Sequence, residues 1–242
     1  MEDSHPAIIT PQIWELTQLE MQRRQRIGLN YSGASVFSAR LVCEECGCLY
    51  GPRFWNASDG SRKTVWRCAH KYGKKKGCES PVIAEADLKE RFVDAVNEVI
   101  EGREIVLDRC RLLYEELQNT EAYERDIEEN QRECEVVAEL SRKLVEENAS
   151  TEMDQTVFNR KYSSYVSKFE ALTKKIEQLK ELRSERLRQA EAVSAFMFEI
   201  HERDRLVEEF SEKLWIATIE KVTVCHDGKL IFQFKNGMEV SR

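Results

Sequence analysis

Apolar residues recur along this chain at two periods, and the switch between them divides it. From Ala84 onward, Leu88, Phe92, Val96, Val99 and Ile100 form one stripe at helical spacing. Farther on, Tyr123, Ile127, Asn130, Cys134, Val137 and Leu144 follow steps of three, four or seven. Phe158, Tyr162, Tyr165, Phe169, Leu172, Ile176 and Leu179 then alternate steps of four and three, a seven-residue repeat. Between the two runs lies the polar segment ENASTEMD, where Thr151 and Asp154 resemble a capping box restarting a helix. The pattern predicts two arms, 112–147 and 154–190, each roughly 55 Å long at about 1.5 Å per residue. So short a connection makes an antiparallel coiled-coil hairpin the expected arrangement.

Period two takes over at both ends. Ala39–Cys43, Cys48–Phe54 and Lys63–Cys68 read as strands, with a turn at Asn56–Gly60 (NASDG). IEKVTVCHDGKLIFQFKNGMEV alternates around Asp227-Gly228 and Asn236-Gly237, two turn dipeptides. Val222 and Val224 share one strand face, and Leu230, Phe232 and Phe234 share one face of the next. An isolated hairpin is marginal in water, so these faces need a partner, and the N-terminal ribbon is the nearest candidate. Leu206, Phe210 and Leu214 predict a last amphipathic helix. At the other end, Thr10-Pro11 starts a helix with Trp14, Leu16, Leu19 and Met21 as apolar contacts and Arg23, Arg24 and Arg26 at its close. Residues 28–36 (GLNYSGASV) read as a linker.

Composition sharpens this picture. All four prolines lie within the first 81 of 242 residues, and neither Gly nor Pro occurs between Gly102 and Gly228. Long helices should fill that stretch. With 33% charged and 41% apolar residues and a mean hydropathy of −0.56, the chain is too polar for one compact sphere. No apolar run approaches the roughly 18 residues a membrane span needs, and MEDSHPAIITP lacks a signal-peptide core. These features argue against a membrane or secreted protein and for a cytoplasmic one.

Charge divides unevenly. The net value is −7, yet residues 1–80 carry +4 and the remainder −11. Arg53, Arg62, Lys63, Arg67, Lys71, Lys74, Lys75 and Lys76 face only Asp59 in their window, with Trp55, Trp66 and Tyr72 interleaved. That is the footprint of a nucleic-acid surface rather than of a merely solvated loop.

Five of the eight cysteines cluster in the same region. Cys43-Glu44-Glu45-Cys46-Gly47 reads as a zinc knuckle, with Cys68 and Cys78 as the second pair, giving C-x2-C-x21-C-x9-C. Four thiolates suit one tetrahedral Zn²⁺, and a closed set leaves no position for a reacting water, so the site should be structural and not that of a zinc hydrolase. The x9 spacing departs from a plain paired-CxxC ribbon, and His70 is the alternative ligand. Cys48 is expected to point away along its strand. Cys110, Cys134 and Cys225 read as buried or seam residues. No Gly-rich phosphate loop, HExxH or nucleophile context occurs, and His5, His70, His201 and His226 lack a partner pattern.

The order of parts resembles the large serine recombinases. HPAIITPQIWELTQLEMQRRQR is similar to the closing helix of their recombinase domain, LVCEECGCLYG…VWRCAHKYGKKKGCESPVI to their zinc β-ribbon, and the helical arms plus IEKVTVCHDGKLIFQFKNG to their coiled coil and returning strands. The resemblance implies an α+β fold: a small zinc β-ribbon completed by C-terminal strands, with an inserted antiparallel coiled-coil hairpin. It divides the chain into 1–36 (end of the recombinase-domain helix and linker), 37–111 (zinc ribbon and following helix), 112–190 (coiled coil) and 191–242 (returning helices and strands). It implies that Cys43, Cys46, Cys68 and Cys78 are the metal ligands. It also implies that the ribbon binds duplex DNA at an attachment half-site. The coiled coil is expected to contact other recombinase subunits, with a recombination directionality factor acting near it. The family's catalytic serine and arginines belong to an N-terminal domain outside these residues, so the chain is expected to bind rather than cut DNA. The alternative reading is a zinc-ribbon and coiled-coil adaptor for protein partners in transcription machinery.

Overall fold

Helices occupy the stretch free of glycine and proline, and strands flank it. The computed structural model describes residues 11–26, 35–56, 62–72, 77–151 and 153–242. Helix α1 (Pro11–Arg26) precedes strands β1 (Leu41–Cys43), β2 (Tyr50–Asn56), β3 (Arg62–Cys68) and β4 (Ile83–Ala84). Helices α2 (Glu85–Glu101), α3 (Arg103–Gln118), α4 (Glu121–Ser150), α5 (Gln155–His201) and α6 (Glu212–Thr218) follow. Strands β5 (Ile219–Val224), β6 (Leu230–Phe234) and β7 (Glu239–Ser241) close the chain, giving a mixed α+β fold. Most of the turn at 56–60, the residues before Pro11 and most of the linker lie outside the described residues. Among the described residues, no helix is long and apolar enough to cross a membrane.

Two compact units emerge. One runs to Tyr114 and resumes at Glu191–Arg242; the other is Glu115–Ala190. In the first, two small sheets form, ordered β1-β5-β6-β7 and β2-β3-β4. Strand β1 pairs in parallel with β5, Leu41 opposite Val222 and Cys43 opposite Val224, so the C-terminal strands complete the sheet that carries the first cysteine. Val222, Val224, Leu230, Phe232 and Phe234 are all buried, as their alternation predicts.

The core of this unit is aromatic. Trp215 of α6 lies 4.8 Å from Phe37 and 5.0 Å from Phe92 of α2, and Phe37 meets Trp66 of β3 at 5.8 Å. The two buried indoles find polar partners, as buried tryptophans must. Trp215 Nε1 donates to the Val36 carbonyl at 3.1 Å, and Trp66 Nε1 donates to Glu85 at 3.2 Å. Trp66 is therefore a core residue, not one of a nucleic-acid surface. The α2 stripe Leu88, Phe92, Val96, Val99 and Ile100 is buried throughout.

One predicted helix forms only at its end. Of the Leu206–Leu214 region only 212–214 is helical, as the start of α6, and Leu206 is exposed. Asn97 explains the difference: its side chain both donates to the Val207 carbonyl (2.9 Å) and accepts from the Val207 amide (2.8 Å). A helix there would need those same backbone groups. Ser211 then caps α6 by accepting from the Leu214 amide at 3.4 Å.

In the second unit, α4 and the facing part of α5 lie antiparallel. Glu133 pairs with Lys168 at 2.7 Å and Glu124 with Arg183 at 3.7 Å, so partners recede from the connection together. Ile127, Asn130, Val137 and Leu144 of α4 are buried, as are Leu172 and Ile176 of α5. The expected seam is only partly covered, because Tyr162 and Phe169 remain 41% and 43% exposed. The helix restart is capped by Asp154, whose carboxylate accepts from the Thr156 and Val157 amides, rather than by Thr151.

Candidate metal centre and nucleic-acid interface

Three of the four cysteines sit where a strand ends or a turn tightens, and the fourth, Cys78, follows the loop after β3. Cys43 closes β1, and its amide donates to the Cys48 carbonyl at 2.9 Å. The Gly47 amide returns to the Cys43 carbonyl at 2.9 Å, with Gly47 at φ +67°, a conformation that strains any residue with a Cβ. Cys68 closes β3. The Lys71 amide donates to its carbonyl (3.1 Å), and the Cys78 amide donates to the His70 carbonyl (3.2 Å). These bonds cinch the base of the intervening loop, which is how an x9 spacing still brings Cys78 back beside Cys43.

The four Sγ atoms lie within 4.8 Å of one another, with Cys43–Cys78 and Cys46–Cys68 both at 3.4 Å. Thiolates around a tetrahedral zinc at about 2.3 Å stand roughly 3.8 Å apart, so the donor set fits that ion in number, type and spacing. Burial pushes the Cys68 thiol up, so its thiolate form needs a nearby cation to offset the desolvation. Sequence reasoning missed Ser80. Its buried hydroxyl lies 2.6 Å from Cys43 Sγ and 2.7 Å from Cys78 Sγ, poised to donate to a ligand sulfur. Its only signal is its place two residues after Cys78.

Cys48 departs from expectation. Its Sγ does not point away; it lies within 4.8 Å of both Cys46 Sγ and a His70 ring nitrogen. Cys110 and Cys225 are buried and Cys134 is half-buried, in keeping with packing roles.

Register places three of the eight cations, those on β2 and β3 whose side chains are described. Strands β2 and β3 pair Arg53 with Val65, Trp55 with Lys63 and Gly51 with Arg67. Alternation therefore collects Arg53, Trp55, Lys63, Val65 and Arg67 on one face, opposite the face of buried Tyr50, Trp66 and Cys68. Trp55 is 64% exposed, and the Arg67 guanidinium lies 4.3 Å from the ring centre of Tyr72, itself 73% exposed. Lys71 serves otherwise, donating to the Ser80 carbonyl at 2.5 Å and so bracing the metal loop. Lys74, Lys75 and Lys76 and the Arg62 side chain lie outside the described residues.

Comparison with known proteins gives three results. Residues 36–97 match the family described as the recombinase zinc beta ribbon domain. No curated protein matches the chain. A solved chain described as "Crystal Structure of a LSR-DNA Complex" aligns at 13% identity and a TM-score of 0.38, covering 97% of this chain. This chain spans 66% of the length of that one.

Proposed function

We propose that this chain is the DNA-binding and subunit-interaction region of a site-specific large serine recombinase. On this reading the ribbon grips duplex DNA at an attachment half-site. The observation that carries it is the outward face of β2 and β3: Arg53, Lys63 and Arg67 stand together there with exposed Trp55 and the Arg67–Tyr72 stack. A two-stranded β-ribbon fits a major groove about 12 Å wide, where an arginine fork can read guanine and apolar groups can meet thymine methyls. The zinc-ribbon family match over 36–97 supports the same reading. One structural Zn²⁺, held by Cys43, Cys46, Cys68 and Cys78, keeps β1, β3 and the loop to Cys78 together beneath that face.

The subunit-interaction part rests on the helical hairpin. Tyr162, Val166 and Phe169, at helical spacing, leave an apolar strip of α5 exposed. That strip suits contact with another subunit, and a directionality factor would act there.

Gel shifts with mixed-sequence duplex DNA across a salt series test the DNA reading. If all three meet phosphates, the slope of log K against log salt should become shallower by about 3 in the Arg53→Ala, Lys63→Ala, Arg67→Ala triple variant. Unchanged binding by that variant would reject the proposal and favour the protein-adaptor reading.

A further inference from the structure

Cys48 and His70 belong neither to the four-cysteine cluster nor to the cationic face. Together with Cys46 they offer three ligand atoms that all lie within 4.8 Å of one another. The trio looks outward: Cys46 and Cys48 are half-buried and His70 is exposed. The framework that positions the first cluster also positions this one. The Cys48 carbonyl takes the Cys43 amide, while the His70 amide approaches Cys68 Sγ at 3.4 Å and its carbonyl takes the Cys78 amide. A loose surface trio would have no such backbone ties on either side.

We propose that Cys46, Cys48 and His70 form a second, outward-facing site for a thiophilic metal ion, joined to the four-cysteine site through the shared Cys46 sulfur. The proposal rests on the zinc reading of the first site. A thiolate bound to one metal keeps lone pairs with which to bridge a second. Two sulfurs and an imidazole are soft-to-borderline donors, which select ions such as Cd²⁺ or Cu⁺ over hard, oxygen-seeking cations. Three protein donors leave coordination positions open to solvent, so this site fills and empties from solution, whereas the four-cysteine set is closed. The pair of sites gives a soft ion a route of entry. It is first held by Cys48 and His70 and then competes for Cys46, the most exposed of the four inner cysteines.

The test uses the full chain loaded with zinc and dialysed to equilibrium against cadmium chloride, with metal per chain measured above that of the dialysate. The wild type should retain two ions, and Cys48→Ser and His70→Ala one each, with unchanged circular dichroism. His70→Ala guards against misfolding, since the side chain is exposed and the structural ties run through its backbone. Cadmium NMR of the wild type should show two resonances coupled through the bridging sulfur. One ion in all three proteins would overturn the second site, and two in all three would place the extra ion elsewhere. A wild type holding no zinc before cadmium is added would instead overturn the first site, and the second with it.

Discussion

Cys43 joins two networks at once, as the last residue of β1 and a member of the sulfur cluster, with Ser80 against its Sγ. Structural zinc in small modules is worth about 10–16 kcal/mol, more than so small a ribbon can gain from burial. Cys43→Ser, or a strong chelator, should therefore abolish zinc retention and ribbon amide protection while helicity by circular dichroism stays nearly intact. Glu20 of α1 is a second such residue. It meets fully buried Arg40 at 2.7 Å and also pairs with Arg23 and Arg24. Burial alone would raise its carboxyl. The Arg23 hydrogen bond, the Arg40 charge and the Arg24 hydrogen bond outweigh that and bring it to about 2. A depressed carboxyl stabilises the fold above its ordinary value near 4.5, and that contribution disappears as pH falls toward about 2. Glu20→Gln should thus cost about 3–5 kcal/mol at neutral pH by urea unfolding, with the gap to wild type closing between pH 4.5 and 2. The four cysteines were legible in the sequence because three lie at strand ends or in a tight turn that spacing reveals. Ser80 and Arg40 were not, because a serine hydroxyl or a lone arginine declares no partner until distant segments meet.

At the scale of elements, the parallel pairing of β1 with β5 matters most. Beyond it, among the described residues, β1 has a single bridge, Val42 to Leu49, while the Glu44 amide also donates to the Val224 carbonyl. A chain ending before Ile219 keeps all four cysteines but loses this partner strand. It should bind zinc more weakly and exchange its ribbon amides faster; equal affinity and protection in the truncated chain would show that β1 stands without β5. The strands themselves were readable, since alternation and turn dipeptides are local signals. The Leu206–Leu214 segment was misread because Asn97, more than a hundred positions away, claims its backbone. The hairpin seam was half-read, because a heptad locates an apolar stripe without saying how much of it the facing helix covers.

For the whole molecule, every described residue of the metal centre and the cationic face falls in the unit that excludes Glu115–Ala190. Replacing that segment with a short flexible linker should leave zinc content and half-site affinity unchanged, measured by metal analysis and gel shift. Self-association of DNA-bound chains by ultracentrifugation should be lost.

The return of β5 to β1 also sets an order of events while the chain is being made. Trp215 and the Val36 carbonyl it bonds are 179 positions apart. At about 5–20 residues per second, a ribosome needs roughly 10–35 s to cross that gap. Helix formation needs on the order of microseconds, so the hairpin is complete long before β5 emerges from the exit tunnel. Once formed, it holds Glu116 near Arg186 and removes most of the slack that the late strand must close. Every newborn copy therefore passes through the state of the truncated chain, with Cys43, Cys46, Cys68 and Cys78 already made and β1 still waiting for β5.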